Sequence, residues 1–272
     1  MPTARKPPLN ASSLMRAGWQ RFANSPSFAR LRRRPVCLFC LASLDGDQGS
    51  ATHVCAACEA ELPRPMPHAC VQCAAAIEAP GVCGECIAKP PAFDATVAAC
   101  VYAFPVSPAI SQLKYGARLA LAGWMTDALV AALKARGDVG VDWILPLPLS
   151  RERIAERGFN QAALIAAGVA QQLALPLHRD ELLRVRHTAP QASLDHDERW
   201  RNVRGAFDVA AHAAITGQRI AVVDDVMTTG ATLDAAASAL KRAGAARVDA
   251  WVIARADRRR DALTQREVSH DV

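Results

Sequence analysis

No apolar run in this chain reaches ~18 residues, although 51% of its 272 residues are apolar, so no transmembrane helix is expected. The N-terminal stretch lacks the apolar segment of a secretory signal, and export is not expected either. Acidic side chains are missing from positions 1–36, where Arg5, Lys6, Arg16, Arg21, Arg30, Arg32, Arg33 and Arg34 give a charge of +8. The whole chain carries +6, so the remainder is close to neutral. Residues 1–34 therefore predict a basic, solvated arm with partial helix. Its Arg-rich, Ser-containing composition also fits an organelle transit peptide, and any contact it makes with nucleic acid would be non-specific. Large apolar side chains are too few between positions 37 and 86 to build a core. Two phosphate-binding signatures are absent as well: no Gly-Lys-Ser/Thr of a Walker loop, and no G-x-G-x-x-G of a dinucleotide fold.

What fills the coreless segment is cysteine. Eight of the nine cysteines form four C-x-x-C pairs: Cys37/Cys40, Cys55/Cys58, Cys70/Cys73 and Cys83/Cys86. Each pair makes a knuckle whose sulfurs converge on one ion, and two knuckles complete a tetrahedral site. A disulfide framework is the alternative, but without an export signal the thiols stay reduced, which predicts two structural Zn²⁺ ribbons. The spacings leave the pairing of knuckles open, and their shortness favours sequential pairs. Eight thiolates fill two closed sites, so His53 and His68 are expected at the surface. The ninth cysteine, Cys100, lies in the strand-like VAACVYAF and reads as a small buried hydrophobe.

A second constellation is RIAVVDDVMTTGATLD at 219–234. A buried strand is predicted over 220–223, with Asp224 and Asp225 at its end. A polar loop and an Ala-rich helix follow. This order aims backbone N–H groups and small hydroxyls at one point, with the positive end of a helix dipole behind them, as a phosphate requires. Two adjacent carboxylates need hydroxyls or a metal ion nearby. Ribose 5-phosphate offers a phosphate and a vicinal diol together. An ordinary strand–turn–helix corner is the plainer alternative.

Elsewhere, Pro90 and Pro91 mark a linker, with a second domain expected from about Ala92. Lys114, Tyr115, Gly116 and Arg118 read as a cationic turn, followed by a helix ending at Gly137. A strand over 142–149 leads into a polar-cationic loop with Arg151, Arg153 and Arg157, and an Ala-rich helix then runs to about Leu173. Residues 182–207 have no sustained period and predict a long functional loop, with His187 and His196 solvated. A final strand is expected over 247–254, with a fraying charged tail from Arg255.

VVDDVMTTGAT resembles the phosphoribosyl-pyrophosphate (PRPP) loop of type I phosphoribosyltransferases. Together with the knuckles, LKYGAR, LPLPLSRERIAERGFNQ and the segments at 188–191 and 199–202, it resembles the ComF family, which includes GntX-like proteins, over about 37–254. The resemblance implies an α/β fold, a mainly parallel sheet with helices on both faces, after a zinc-ribbon module. It places the ribbon at 35–91, the phosphoribosyltransferase-like domain at 92–255 and a tail at 256–272. It also implies the site. Asp224 and Asp225 would bind the ribose hydroxyls in the catalytic centre. Val226, Met227, Thr228, Thr229, Gly230, Ala231 and Thr232 would bind PRPP. Pro148, Leu149, Ser150 and Arg151 would face the pyrophosphate, supported by Lys114, Arg157, Asn160, Gln161, Thr188 and Gln191. Mg²⁺ would bridge pyrophosphate and ribose while the 184–202 loop closes over them. Purine-salvage relatives carry an acid, used as a base, where this chain has Thr228. Family members are cytoplasmic and several serve natural competence, so an unidentified acceptor, single-stranded DNA and DNA-uptake proteins are the implied partners. Three readings follow: a phosphoribosyltransferase, a PRPP-binding regulator without catalysis, and a DNA- or protein-binding competence factor.

Overall fold

The computed structural model describes residues 35–44, 53–137, 140–186, 188 and 196–256. The basic arm, His187, Gln191 and the tail beyond Ala256 lie outside the described residues. The chain falls into two compact units, Met1–Cys55 and Ala56–Val272. In the first, the described residues form a knuckle, with a Val36–Ser43 bridge and the Leu38 amide donating to the His53 carbonyl. The second opens with the short helices α1 (Ala56–Ala60) and α2 (Gly84–Ala88), which flank a turn closed by an Ala69–Ala76 bridge.

Beyond them lies a four-stranded, wholly parallel sheet in the order β1-β6-β5-β2. Its strands are β1 (Ala95–Val101), β2 (Trp143–Pro146), β5 (Arg219–Met227) and β6 (Arg247–Arg255). β5 and β6 are almost continuously apolar because both of their faces are covered. Between β1 and β2 run α3 (Val106–Gly116) and α4 (Ala120–Arg136); after β2 come α5 (Arg151–Arg157) and α6 (Gln161–Leu173). Helices α4 and α6 pack on each other and on one side of the sheet. They approach closely because Gly168 has no side chain: a Cβ there would lie 2.7 Å from Thr126. Helix α8 (Ala231–Arg242) returns the chain from β5 to β6 and packs on both strands. Its crossover moves across the sheet in the opposite direction to that of α4, so with both right-handed the two helices cover opposite faces. The α/β reading with helices on both faces therefore holds. Among the described residues no helix is long and apolar enough to cross a membrane.

Several expected details differ. β5 does not end at Val223 but runs four residues further, because β6 stays in register with it as far as Met227 and Arg255. The cationic turn around Lys114 is the last turn of α3, and the cationic loop after β2 is helix α5, capped by Ser150. The long loop at 182–207 contains β3 (Leu182–Arg184) and α7 (His196–Val203) and leads into β4 (Phe207–Val209), which pairs antiparallel with β3. A three-residue strand leaves too short a pattern to read, and its hydrogen-bonding partner lies more than twenty residues away. Arg255, assigned to the fraying tail, is buried.

Candidate functional site

The chain leaves β5 and β2, which are neighbours in the sheet, in opposite directions: towards β6 from β5, and outward through α5 and α6 from β2. After α6 it runs beside the free edge of β2 at Leu177. Such a switch point opens a crevice at the carboxyl ends of the strands. β2 stops opposite Val223, and the Leu147 amide donates to the Val223 carbonyl at 2.9 Å. Asp224 and the residues after it thus project past β2, beside the segment 147–150.

Asp224 and Asp225 are successive strand residues and face different surroundings. Asp225 is 3% exposed, and its Oδ2 lies 2.7 Å from Lys114 Nζ. Burial works against the Lys114 ammonium, but Asp225, with a smaller contribution from Asp224, holds its pKa above the ordinary value. Asp224 accepts the Asp225 amide at 2.8 Å. Burial, then the charge of Asp225, pushes the Asp224 carboxyl up to about 8 against the pull of Lys114.

Arg184, on β3, reaches the same place. Burial and the neighbouring Arg153 and Arg186 cations bring its pKa down to about 10, while Asp224 favours the charged form. Its guanidinium donates to the hydroxyl of Thr188, which is 3% exposed, and lies 5.3 Å from the centre of the Phe207 ring. Pro148, Leu149, Ser150, Arg151, Asn160 and Arg184 line one cavity of about 720 Å³. Asn160 builds its floor. The side-chain oxygen caps α6 by accepting from the Ala162 amide, and the amide nitrogen donates to the Leu147 carbonyl at 3.0 Å. Arg157 donates to Gln161 at 2.6 Å and lies over the Tyr115 ring, in reach of Lys114's field.

After β5, Gly230 takes φ +83° and starts α8, and the Thr229 hydroxyl accepts the Ala231 amide at 3.3 Å. The left-handed backbone, rather than lack of space, demands glycine there: a Cβ would meet Phe93 at 3.6 Å and Met227 Sδ at 3.9 Å, both ordinary contacts. Thr228 belongs to this same turn and Thr232 to the first turn of α8, whereas Met227 is buried in the core. Direct contacts and charge thus link Asp224, Asp225, Lys114, Arg157 and Gln161. Residues 148–151 and Asn160 line the cavity with Arg184, which holds Thr188. Gln191 lies outside the described residues.

The cysteines form two groups, Cys37/Cys40/Cys55/Cys58 and Cys70/Cys73/Cys83/Cys86, the sulfurs of each lying within 4.8 Å of one another. Four sulfurs at about 2.3 Å from a tetrahedral zinc ion stand about 3.8 Å apart. Cys40–Cys55 at 3.7 Å and Cys73–Cys83 at 3.6 Å meet that geometry. Backbone amides supply the outer shell: Phe39 and Cys55 donate to Cys37 Sγ at 3.4 Å, and Cys83 to Cys70 Sγ at 3.3 Å. Burial raises the Cys37 and Cys70 thiols, yet these amides bring them down to about 6 and about 7. Both groups fit structural zinc, and the knuckles pair sequentially. Cys100 is a buried thiol outside both groups, pushed up to about 11 by its burial.

A model of the phosphoribosyl transferase domain matches residues 160–270. The DNA utilization protein YhgH of Escherichia coli (strain K12) is 36% identical over 177 residues, which are 64% of this chain and 77% of that protein. Competence protein F of Haemophilus influenzae is 30% identical over 179 residues, 64% of this chain and 78% of that one. The chain belongs to the ComF family. Among solved structures, a purine phosphoribosyltransferase from Pyrococcus horikoshii Ot3 is 18% identical, with 48% of this chain and 73% of that one aligned at a TM-score of 0.32.

In this ComF protein two arginines, Arg184 and Arg255, carry little local signal in the sequence. Arg184 sits in LLRVR, where an arginine between aliphatic residues was the available signal. Arg255 closes the apolar run AWVIAR and reads in sequence as the first residue of the charged tail.

Proposed function

We propose that this ComF protein binds PRPP with Mg²⁺ at the crevice between β2 and β5 and transfers the phosphoribosyl group to an acceptor. One observation supports the reading: at the switch point of a parallel sheet, Asp224 at the end of β5 lies within the electrostatic reach of Arg184, which lines one cavity with residues 148–151. Thr228, Thr229, Gly230, Ala231 and Thr232, at the positive end of α8, take the 5-phosphate. Asp224 and Asp225 take the ribose hydroxyls, with Lys114 fixing Asp225. Residues 148–151 and Arg184 face the pyrophosphate. Mg²⁺ fits the donor set, because paired carboxylates with one pKa raised are relieved by a dication, and it would supply charge neutralisation for the departing pyrophosphate. The bond from the anomeric carbon to pyrophosphate breaks as the bond to the acceptor forms. The oxocarbenium-like charge is stabilised by placed carboxylates rather than by a strong base.

The relatives named for DNA utilization and competence support a role in handling incoming DNA, with single-stranded DNA or DNA-uptake proteins as partners. The thiol sites suit a reducing compartment, so the reading is cytoplasmic. It also takes 35–91 as the ribbon module and 92–255 as the transferase-like domain. A second reading, PRPP binding without transfer, is favoured by Thr228, whose hydroxyl cannot act as a base near pH 7.

Pyrophosphate release from PRPP and Mg²⁺, assayed with candidate bases and single-stranded DNA, separates the readings. Release that depends on one acceptor supports transfer. A PRPP-dependent rise in melting temperature without release supports the second reading, and the absence of both refutes the site.

A further inference from the structure

Arg255 ends β6 and is 6% exposed. Its guanidinium meets backbone carbonyls. Nε donates to the Cys73 carbonyl at 2.7 Å; Nη1 donates to those of Met227 at 3.1 Å, Ala256 at 2.9 Å and Thr228. Among the described residues it pairs with no carboxylate. A buried guanidinium is costly without a counter-charge. Cys73 belongs to the second four-cysteine group, and a zinc ion held by four thiolates carries a net charge of about −2. The loaded site therefore supplies the counter-charge.

The carbonyls that Arg255 holds determine where the phosphate-binding amides point. A trans peptide is planar, with its C=O and N–H directed oppositely. Drawing the Met227 and Thr228 carbonyls towards Arg255 turns the N–H groups of Thr228 and Thr229 away from it. The same turn rests on the segment after the ribbon: Phe93 lies against Gly230, and the Ala92 amide donates to Asp234 at 2.7 Å.

We propose that Arg255 is a positioning residue that aims the Thr228 and Thr229 amides by anchoring the start of the loop to the Cys73 knuckle, so that metal at the second site governs affinity at the loop. That those amides take the phosphate of PRPP rests on the function proposed above; the anchoring does not.

The test uses hydrogen exchange on the full-length, zinc-loaded protein, comparing wild type, R255K and R255M, each before and after chelation. R255K keeps the charge but not the fork that reaches both sides, and carries the comparison if R255M does not fold. Exchange at Ala231 and Asp234, whose amides donate to the Thr229 hydroxyl and the Gly230 carbonyl across the turn, is expected to rise about tenfold in the variants while residues 220–223 stay protected. Chelation should raise it similarly in wild type and add little in the variants. Affinity for PRPP and Mg²⁺, measured by calorimetry, should fall about tenfold in the variants at unchanged zinc content. Unchanged exchange at both amides, or effects of chelation and mutation that simply add, would overturn the anchoring. If wild type binds no PRPP, the functional reading fails, and the exchange data still decide the role of Arg255.

Discussion

Between Asp224 and Asp225 the same carboxyl group meets two environments within one step along β5. Asp225 has Lys114 at 2.7 Å, whereas Asp224 is raised to about 8 by burial and by its neighbour's charge. An unfolded aspartate titrates near 3.9, so between about pH 4 and pH 8 the folded chain holds a proton that the unfolded chain has lost. This contribution to stability is full below pH 4, declines as pH rises and is gone above about 8. Asp224→Asn is expected to flatten that slope and to leave the ligand-free protein more stable at pH 8, as urea denaturation across pH would show. PRPP affinity should run the other way, rising with pH as Asp224 ionises, and the Asn variant should lose the dependence. Lys114→Met strands Asp225. Because Lys114 keeps partial exposure, the expected loss is about 2–3 kcal/mol, below the 3–5 of a fully buried pair. Adding Asp225→Asn should recover much of it, and a double-mutant cycle measures the coupling.

Helices α5 and α6 are joined by Gly158 at φ +80° and by Asn160, which serves the helix and the loop at once. The two functions can be separated. Asn160→Asp keeps the oxygen that caps α6 and loses the donor to Leu147, so stability should stay close to wild type while the PRPP-dependent thermal shift shrinks. Asn160→Ala removes both and should cost about 1–2 kcal/mol in urea denaturation. Equal thermal shifts in all three proteins would detach residues 148–151 from the ligand. The length of β5 belongs to this scale too. With β6 paired to its end, the carboxylates stand on a strand instead of a loop, which fixes them more tightly.

Across the whole molecule, the two metal groups differ in protection. Cys40 is exposed and Cys55 and Cys58 half-buried, whereas Cys70, Cys73 and Cys86 are buried. The second group packs into the cluster that holds Phe93, Met227 and Leu233. Elemental analysis is expected to find about two zinc ions per chain. During chelation, thiol labelling read by mass spectrometry should reach the first group before the second. Disulfides in place of metal in cytosolic extract would refute both expectations.

The sequence alone carried whatever depended on neighbours along the chain. The C-x-x-C spacings showed four knuckles because each knuckle is local, whereas their sequential pairing came from the structure. The order of strand, carboxylates, glycine turn and helix at 220–242 was legible because each of those groups follows the last along the chain, and it is the succession that a phosphate site would need. Apolar runs located β1, β2, β5 and β6 because strands covered on both faces have no polar side to show. Tertiary structure decided whatever depended on contacts distant in sequence. Asp225 needs Lys114, more than a hundred residues earlier, before its burial makes sense. Arg184 becomes part of the site only through the short pairing of β3 with β4. Arg255 looked like the first residue of a charged tail. It is buried because β6 runs one residue further beside β5, placing its guanidinium among the carbonyls of Cys73, Met227 and Thr228. No local pattern reports that the counter-charge of a buried arginine comes from a metal site some 180 residues away.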